Sequence, residues 1–169
     1  LENDVVGGKP TSLSDDAGAP VCSLCPKTML VIVLSGNIAA GNSSTGPLLA
    51  GLLNACFVPK PLDEWRSSGR LKRFYDTKNA FEFQMYVLDT RSSALNAQLA
   101  RWRHAHGGAE PAVVVMDRWL QDDEMFANVN LRLGNMTAGE HAQYRQKFAS
   151  LQSYFEGRLD TKNIWIDTA

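Results

Sequence analysis

The segment Leu34 to Ser44, LSGNIAAGNSS, sets two glycines at a fixed spacing and follows them with hydroxyl side chains. Gly36-x4-Gly41 with Ser43 fits the G-x-x-x-x-G-K-[ST] pattern, in which backbone N–H groups and a helix N-terminus cradle a phosphate. Glycine lets the backbone curl tightly and approach the anion. The residues expected around that anion are Gly36, Asn37, Ala40, Gly41, Asn42, Ser43 and Ser44. The lysine of the pattern is missing, and Asn42 stands in its place. The loop has the shape for phosphate and lacks its cation.

Two further residues can do recognition chemistry. Gln84 and Arg91 carry amide and guanidinium groups capable of paired hydrogen bonds. Taken alone, they read as an exposed or interfacial helix face.

The elements that must position these groups alternate along the chain. Residues 1–27 are rich in Gly, Ser, Asp and Pro without an apolar period, and read as a flexible leader or partner-binding arm. Residues 28–169 form the ordered domain. In it Met29–Leu34 predicts a strand, the glycine loop follows, and a helix runs to about Asn54. Ala55–Pro59 suits a second strand, and Leu62–Phe74 a helix begun after Pro61. Across Ala80–Arg103, Phe81, Gln84, Met85, Leu88, Leu95 and Leu99 recur at helical spacing. Ala112–Met116 is a β-branched run typical of a buried parallel strand. Thr137 and Glu140 form a capping box for a helix to Arg158, and Asn163–Asp167 closes as a strand. The pattern predicts an α/β fold with a parallel sheet flanked by helices.

Composition narrows the function. A chain of 169 residues, 44% apolar and 21% charged, can bury one domain core. Its net charge of −1 argues against bulk nucleic-acid binding, and Arg66, Arg70, Lys72 and Arg73 read as a solvated face. No apolar stretch approaches the ~20 residues of a membrane span. Cys22 and Cys25 have CxxC spacing, but zinc needs two further ligands, and His104 and His106 offer no matching pair. With Cys56, three cysteines without a framework fit free thiols in a reducing, intracellular compartment.

Four ordered segments together resemble the deoxynucleoside kinase family. GNIAAGNSS is similar to its GNI-x-AGKST phosphate loop, and Val58 to Trp65, VPKPLDEW, to its P-E-P-x-x-x-W segment. Phe74-Tyr75, then Phe81-Glu82-Phe83-Gln84, with Arg91 beyond, resemble its F-Y…F-x-F-Q…R helix. Asp117-Arg118-Trp119 and Phe126-Ala127 resemble its E-R-S…D-x-x-x-F-A segment, and Gly134, Met136, Glu140 and Tyr144 also fall in place. The likeness runs from Met29 to Asp167.

The resemblance implies a P-loop kinase-like sheet and a nucleoside pocket. Trp65, Tyr75, Gln84, Arg91, Asp122 and Phe126 would line that pocket. Asp122, rather than Asp123, is the aspartate obtained by counting back from Phe126-Ala127. ATP and Mg²⁺ would be the cofactors, with Ser43 and Asp117 as metal ligands if nucleotide binds.

The departures fall on the chemistry, at Asn42, Lys60, Asp117 and Arg118. Asn42 replaces the loop lysine, and Lys60 replaces the P-E-P glutamate that would act as general base, with only Asp63 and Glu64 nearby as substitutes. Asp117 is a shortened glutamate, and Trp119 replaces a small hydroxyl residue and is expected to crowd the site. The family's C-terminal lid and last strand have no counterpart here, leaving a sheet edge for a protein partner to cover. Three functions follow: a non-catalytic accessory subunit of a larger assembly, a divergent active deoxynucleoside kinase, and a nucleoside- or nucleotide-binding module. The first has a precedent in kind in the kinase-like accessory subunit of mitochondrial complex I, which makes the mitochondrial matrix a fitting location.

Overall fold

The computed structural model describes residues 28–166. The expected leader and its Cys22–Cys25 pair lie outside the described residues.

Among the described residues four strands, β1 (Met29–Gly36), β2 (Cys56–Val58), β3 (Val113–Asp117) and β4 (Leu159–Ile166), pair in the order β2-β3-β1-β4, every pairing parallel. Six helices connect them: α1 (Asn42–Leu53), α2 (Leu62–Ser67), α3 (Arg70–Thr77), α4 (Phe81–Ala105), α5 (Leu120–Arg132) and α6 (Ala138–Phe155). This is the α/β sheet flanked by helices that the sequence pattern predicts.

The two faces of the sheet are covered unequally. On one face Val31, Val33, Val58, Val114 and Met116 pack against Leu88 and Leu95 of α4 and Tyr144, Phe148 and Phe155 of α6. On the other, Leu34 and Val115 meet Ala50 and Leu49 of α1. Gly46 lets α1 lie directly on β2, since a Cβ there would come within 2.4 Å of the Phe57 ring. Leu48 and Leu52 of α1 remain exposed. Trp65, Phe83 and Val87 form a smaller cluster where α2 meets α4. Among the described residues no helix is long and apolar enough to cross a membrane.

Three local expectations change and one holds. The single helix over Leu62–Phe74 is two helices, because Gly69 takes a left-handed conformation (φ 72°) that breaks the turn. Helix α5 was not predicted, its polar N-terminal half lacking a clean apolar stripe. The capping box of α6 is present, with Thr137 Oγ1 accepting from the Glu140 N–H. That helix ends at Phe155, where Gly157 (φ 74°) turns the chain, so β4 begins at Leu159 instead of Asn163.

Candidate functional site

In an open parallel sheet, ligands bind beyond the carboxyl ends of the strands where the strand order reverses direction. Here that point lies between β1 and β3, and the pairing of Leu34 with Asp117 brings the end of β3 beside the glycine loop. The loop curls through left-handed residues at Ala39 (φ 68°) and Gly41 (φ 93°) before α1 starts at Asn42. Gly36 cannot carry a side chain, because a Cβ would lie 2.6 Å from the Ile166 carbonyl oxygen. Sequence and fold agree on the loop.

The Asn42 amide turns inward. Its Nδ2 donates to the Leu34 carbonyl at 2.9 Å, and its buried Oδ1 has no partner. Asn42 thus ties its side chain to the end of β1 and brings no charge to the loop.

Asp117 is 1% exposed and collects two partners on one oxygen. The Ser43 hydroxyl donates to Oδ2 at 2.7 Å, and the Lys60 ammonium lies 3.4 Å from the same atom. Asp117 Oδ1 is buried and unpartnered. Arg118, itself in a left-handed conformation (φ 66°), donates to the carbonyls of Gly36 and Asn37 at 3.0 and 3.2 Å and lies over the Phe126 ring. The guanidinium braces the loop from its carbonyl side. The neighbouring carboxylates do not replace a base at Lys60: Asp63 is fully exposed toward Arg66, and Glu64 accepts from the Tyr86 hydroxyl at 3.0 Å.

A second cluster lies between α4 and α5. Arg91, 4% exposed, donates through Nε to Asp123 Oδ2 at 2.5 Å and through an NH1 group to the Asp117 carbonyl at 2.9 Å. Its guanidinium also sits 5.5 Å from the Trp65 ring centroid. Trp65 is held in turn by donation from its indole N–H to Thr90 Oγ1 at 2.8 Å. Gln84 is buried on the same helix as Arg91, and its side-chain amide has no hydrogen bond among the described residues. Burial pushes the Asp123 carboxyl upward in pKa, against the pull of Arg91. Burial, and then the Asp123 charge, push the Tyr144 hydroxyl up as well.

Three placements differ from expectation. The aspartate on Arg91 is Asp123. Asp122 instead accepts from the Trp119 backbone N–H at 3.1 Å and from Ser35 Oγ at 3.0 Å, so it caps α5 and ties that helix to β1. Counting back from Phe126 therefore lands on the capping aspartate and not on the one paired with Arg91. Tyr75 is 60% exposed on α3, a helix with no buried residue, and stays outside the Arg91 cluster. Trp119 does not crowd the site. It turns into the main core, edge-on to Phe155 at 5.1 Å.

Known proteins give this geometry a lineage. The model of a family described as deoxynucleoside kinase matches residues 32–168. The chain belongs to that family. It is also similar to the deoxyguanosine kinases of Lactobacillus johnsonii and Lactobacillus acidophilus, at 31% identity over 138 residues in each case. The aligned stretch is 80% of this chain and 55% or 54% of theirs, so the chain spans about half the length of these curated relatives.

Within this family the Ser43–Asp117 pair is the natural place to test for Mg²⁺. The two side chains do meet. Mg²⁺, however, asks for near-octahedral oxygen donors at about 2.0–2.1 Å, most of them water or phosphate. The Asp117 oxygen that Ser43 reaches already neutralises the Lys60 ammonium, and a like charge beside it disfavours a divalent ion. The donor types suit the metal, but the Lys60 ammonium on the shared oxygen does not.

Proposed function

We propose that this chain is a non-catalytic deoxynucleoside-kinase-like protein that keeps a nucleoside or nucleotide site and serves as an accessory part of a larger assembly. The observation that carries the proposal is Lys60, whose ammonium lies 3.4 Å from Asp117 where the family motif has a glutamate. An ammonium cannot accept the proton of a sugar hydroxyl, and general-base catalysis is worth about 100- to 10,000-fold. Asn42 adds a second loss, because its amide is spent on Leu34 and leaves the loop without its lysine. Removing one preorganised donor from a charge-stabilising site costs roughly 100- to 1,000-fold by itself. Binding is supported separately by the buried Arg91–Asp123 pair with Gln84 and Trp65 beside it. An accessory role is supported by Leu48 and Leu52 of α1, which stay exposed as apolar surface that a partner could cover.

The relatives' names favour a second reading, an active divergent kinase whose acceptor is deoxyguanosine or a similar deoxynucleoside. One assay separates the two. Purified protein is given labelled ATP, Mg²⁺ and each deoxynucleoside, with thermal unfolding followed in parallel. The expected result is a deoxynucleoside-dependent rise in Tm without phosphoryl transfer above background. Transfer that disappears in Asp117→Ala would establish the active reading instead.

A further inference from the structure

The misfit between Mg²⁺ and the Ser43–Asp117 pair has a positive side. Relative to the family motifs, Asn42 for lysine removes one positive charge and Lys60 for glutamate adds two. The ligand-free loop region is therefore one unit more positive than the motif would make it. That charge is placed where it counts. Asp117 is buried and needs a cation, and Lys60, only 27% exposed on its side chain, supplies one at 3.4 Å. The distance is that of an ion pair, longer than an ordinary N–H···O bond, so the ammonium keeps N–H groups for another acceptor. Asn42 Nδ2 donates to Leu34 and one terminal nitrogen of Arg118 to Gly36 and Asn37, while Arg118 Nε is buried without a partner.

We propose that Lys60 is a built-in cation standing in for the divalent metal, so that the loop binds the phosphates of a nucleotide as the metal-free anion. This rests on the nucleotide-binding reading above. The N–H groups at the start of α1 and the Lys60 ammonium share the anion, while Asp117 holds the ammonium on the oxygen that Ser43 also reaches. Added Mg²⁺ neutralises the phosphates and meets a lysine where it would bind.

The test is calorimetric titration of ATP into the purified chain, once in EDTA and once in excess Mg²⁺. The expected result is binding in EDTA at least as tight as in Mg²⁺. Lys60→Met should weaken the EDTA binding by about tenfold or more, the scale of one charge-assisted hydrogen bond. Lys60→Glu should reverse the preference, so that Mg²⁺ improves binding by a similar factor; circular dichroism checks that both variants fold. ATP binding by the wild-type chain only when Mg²⁺ is present overturns the inference and leaves the nucleotide reading intact. ATP binding in neither buffer overturns both.

Discussion

The two ends of the site are built from the same strands and helices yet have fared differently. At the α4–α5 end, Arg91, Asp123, Trp65 and Thr90 form a closed set in which each polar group named has a partner. At the loop end, two buried acceptors, Asn42 Oδ1 and Asp117 Oδ1, have none, and a lysine fills the place of an acid. An unpaired buried acceptor costs about 1–3 kcal/mol, so the loop end is the less settled of the two. The contrast is one of degree: Arg91 and Asp123 pair at one end, although the Tyr144 hydroxyl near them is buried without a partner, while at the other end both named acceptors are unpaired.

Perturbing each end in turn should make the difference measurable. The largest effect is expected for Arg91→Ala, which leaves the Asp123 carboxylate buried and unpaired. A loss of about 3–5 kcal/mol in denaturant unfolding is expected, and a loss below about 1 kcal/mol would show that the pair is not the rigid centre proposed. A smaller and more selective effect should distinguish the neighbouring aspartates. Asp122→Ala removes the α5 cap and the tie to Ser35 and should cost about 1–2 kcal/mol while leaving deoxynucleoside affinity intact. Asp123→Asn should lower that affinity; the opposite pattern would assign recognition to Asp122. The smallest effect belongs to the loop end, where Lys60→Met removes a partly solvated ion pair. Its expected cost in unfolding free energy is about 1 kcal/mol, since the buried Asp117 loses its cation but keeps the Ser43 hydroxyl, against the larger change expected in nucleotide binding.

Much of this arrangement could be read from the sequence. The apolar run of β1, the glycine spacing and the β-branched run of β3 all belong to elements whose local preference and buried position agree. The identities of Asn42 and Lys60 were equally visible, because a missing cation and a reversed charge show in residue type alone. What stayed hidden depended on direction. Asp122 and Asp123 are adjacent, and only the pitch of α5 decides which faces Arg91 and which turns back to cap the helix. Trp119 is large enough to block a site, but its backbone leads the indole into the core. Likewise, the meeting of Lys60 with Asp117 needs β2 beside β3, a pairing no local pattern reveals.

That strand order also constrains how the chain can be made. β1 lies inside the sheet, but its neighbour β4 comes roughly 130 residues later, from Met29 paired with Leu159 to Gly36 paired with Ile166. As the protein leaves the ribosome, β1, α1, β2 and β3 can assemble while one flank of β1 has no strand to bond. Native contacts at such separation form slowly, because a long loop must close before they repay its entropy. For that interval the strand leading into the phosphate loop is an open template, exposed to wrong pairings that a nascent-chain chaperone would have to hold off. The residue that ends the wait is Ile166: its carbonyl oxygen closes over Gly36, so the loop takes its final form only when the last described strand has docked.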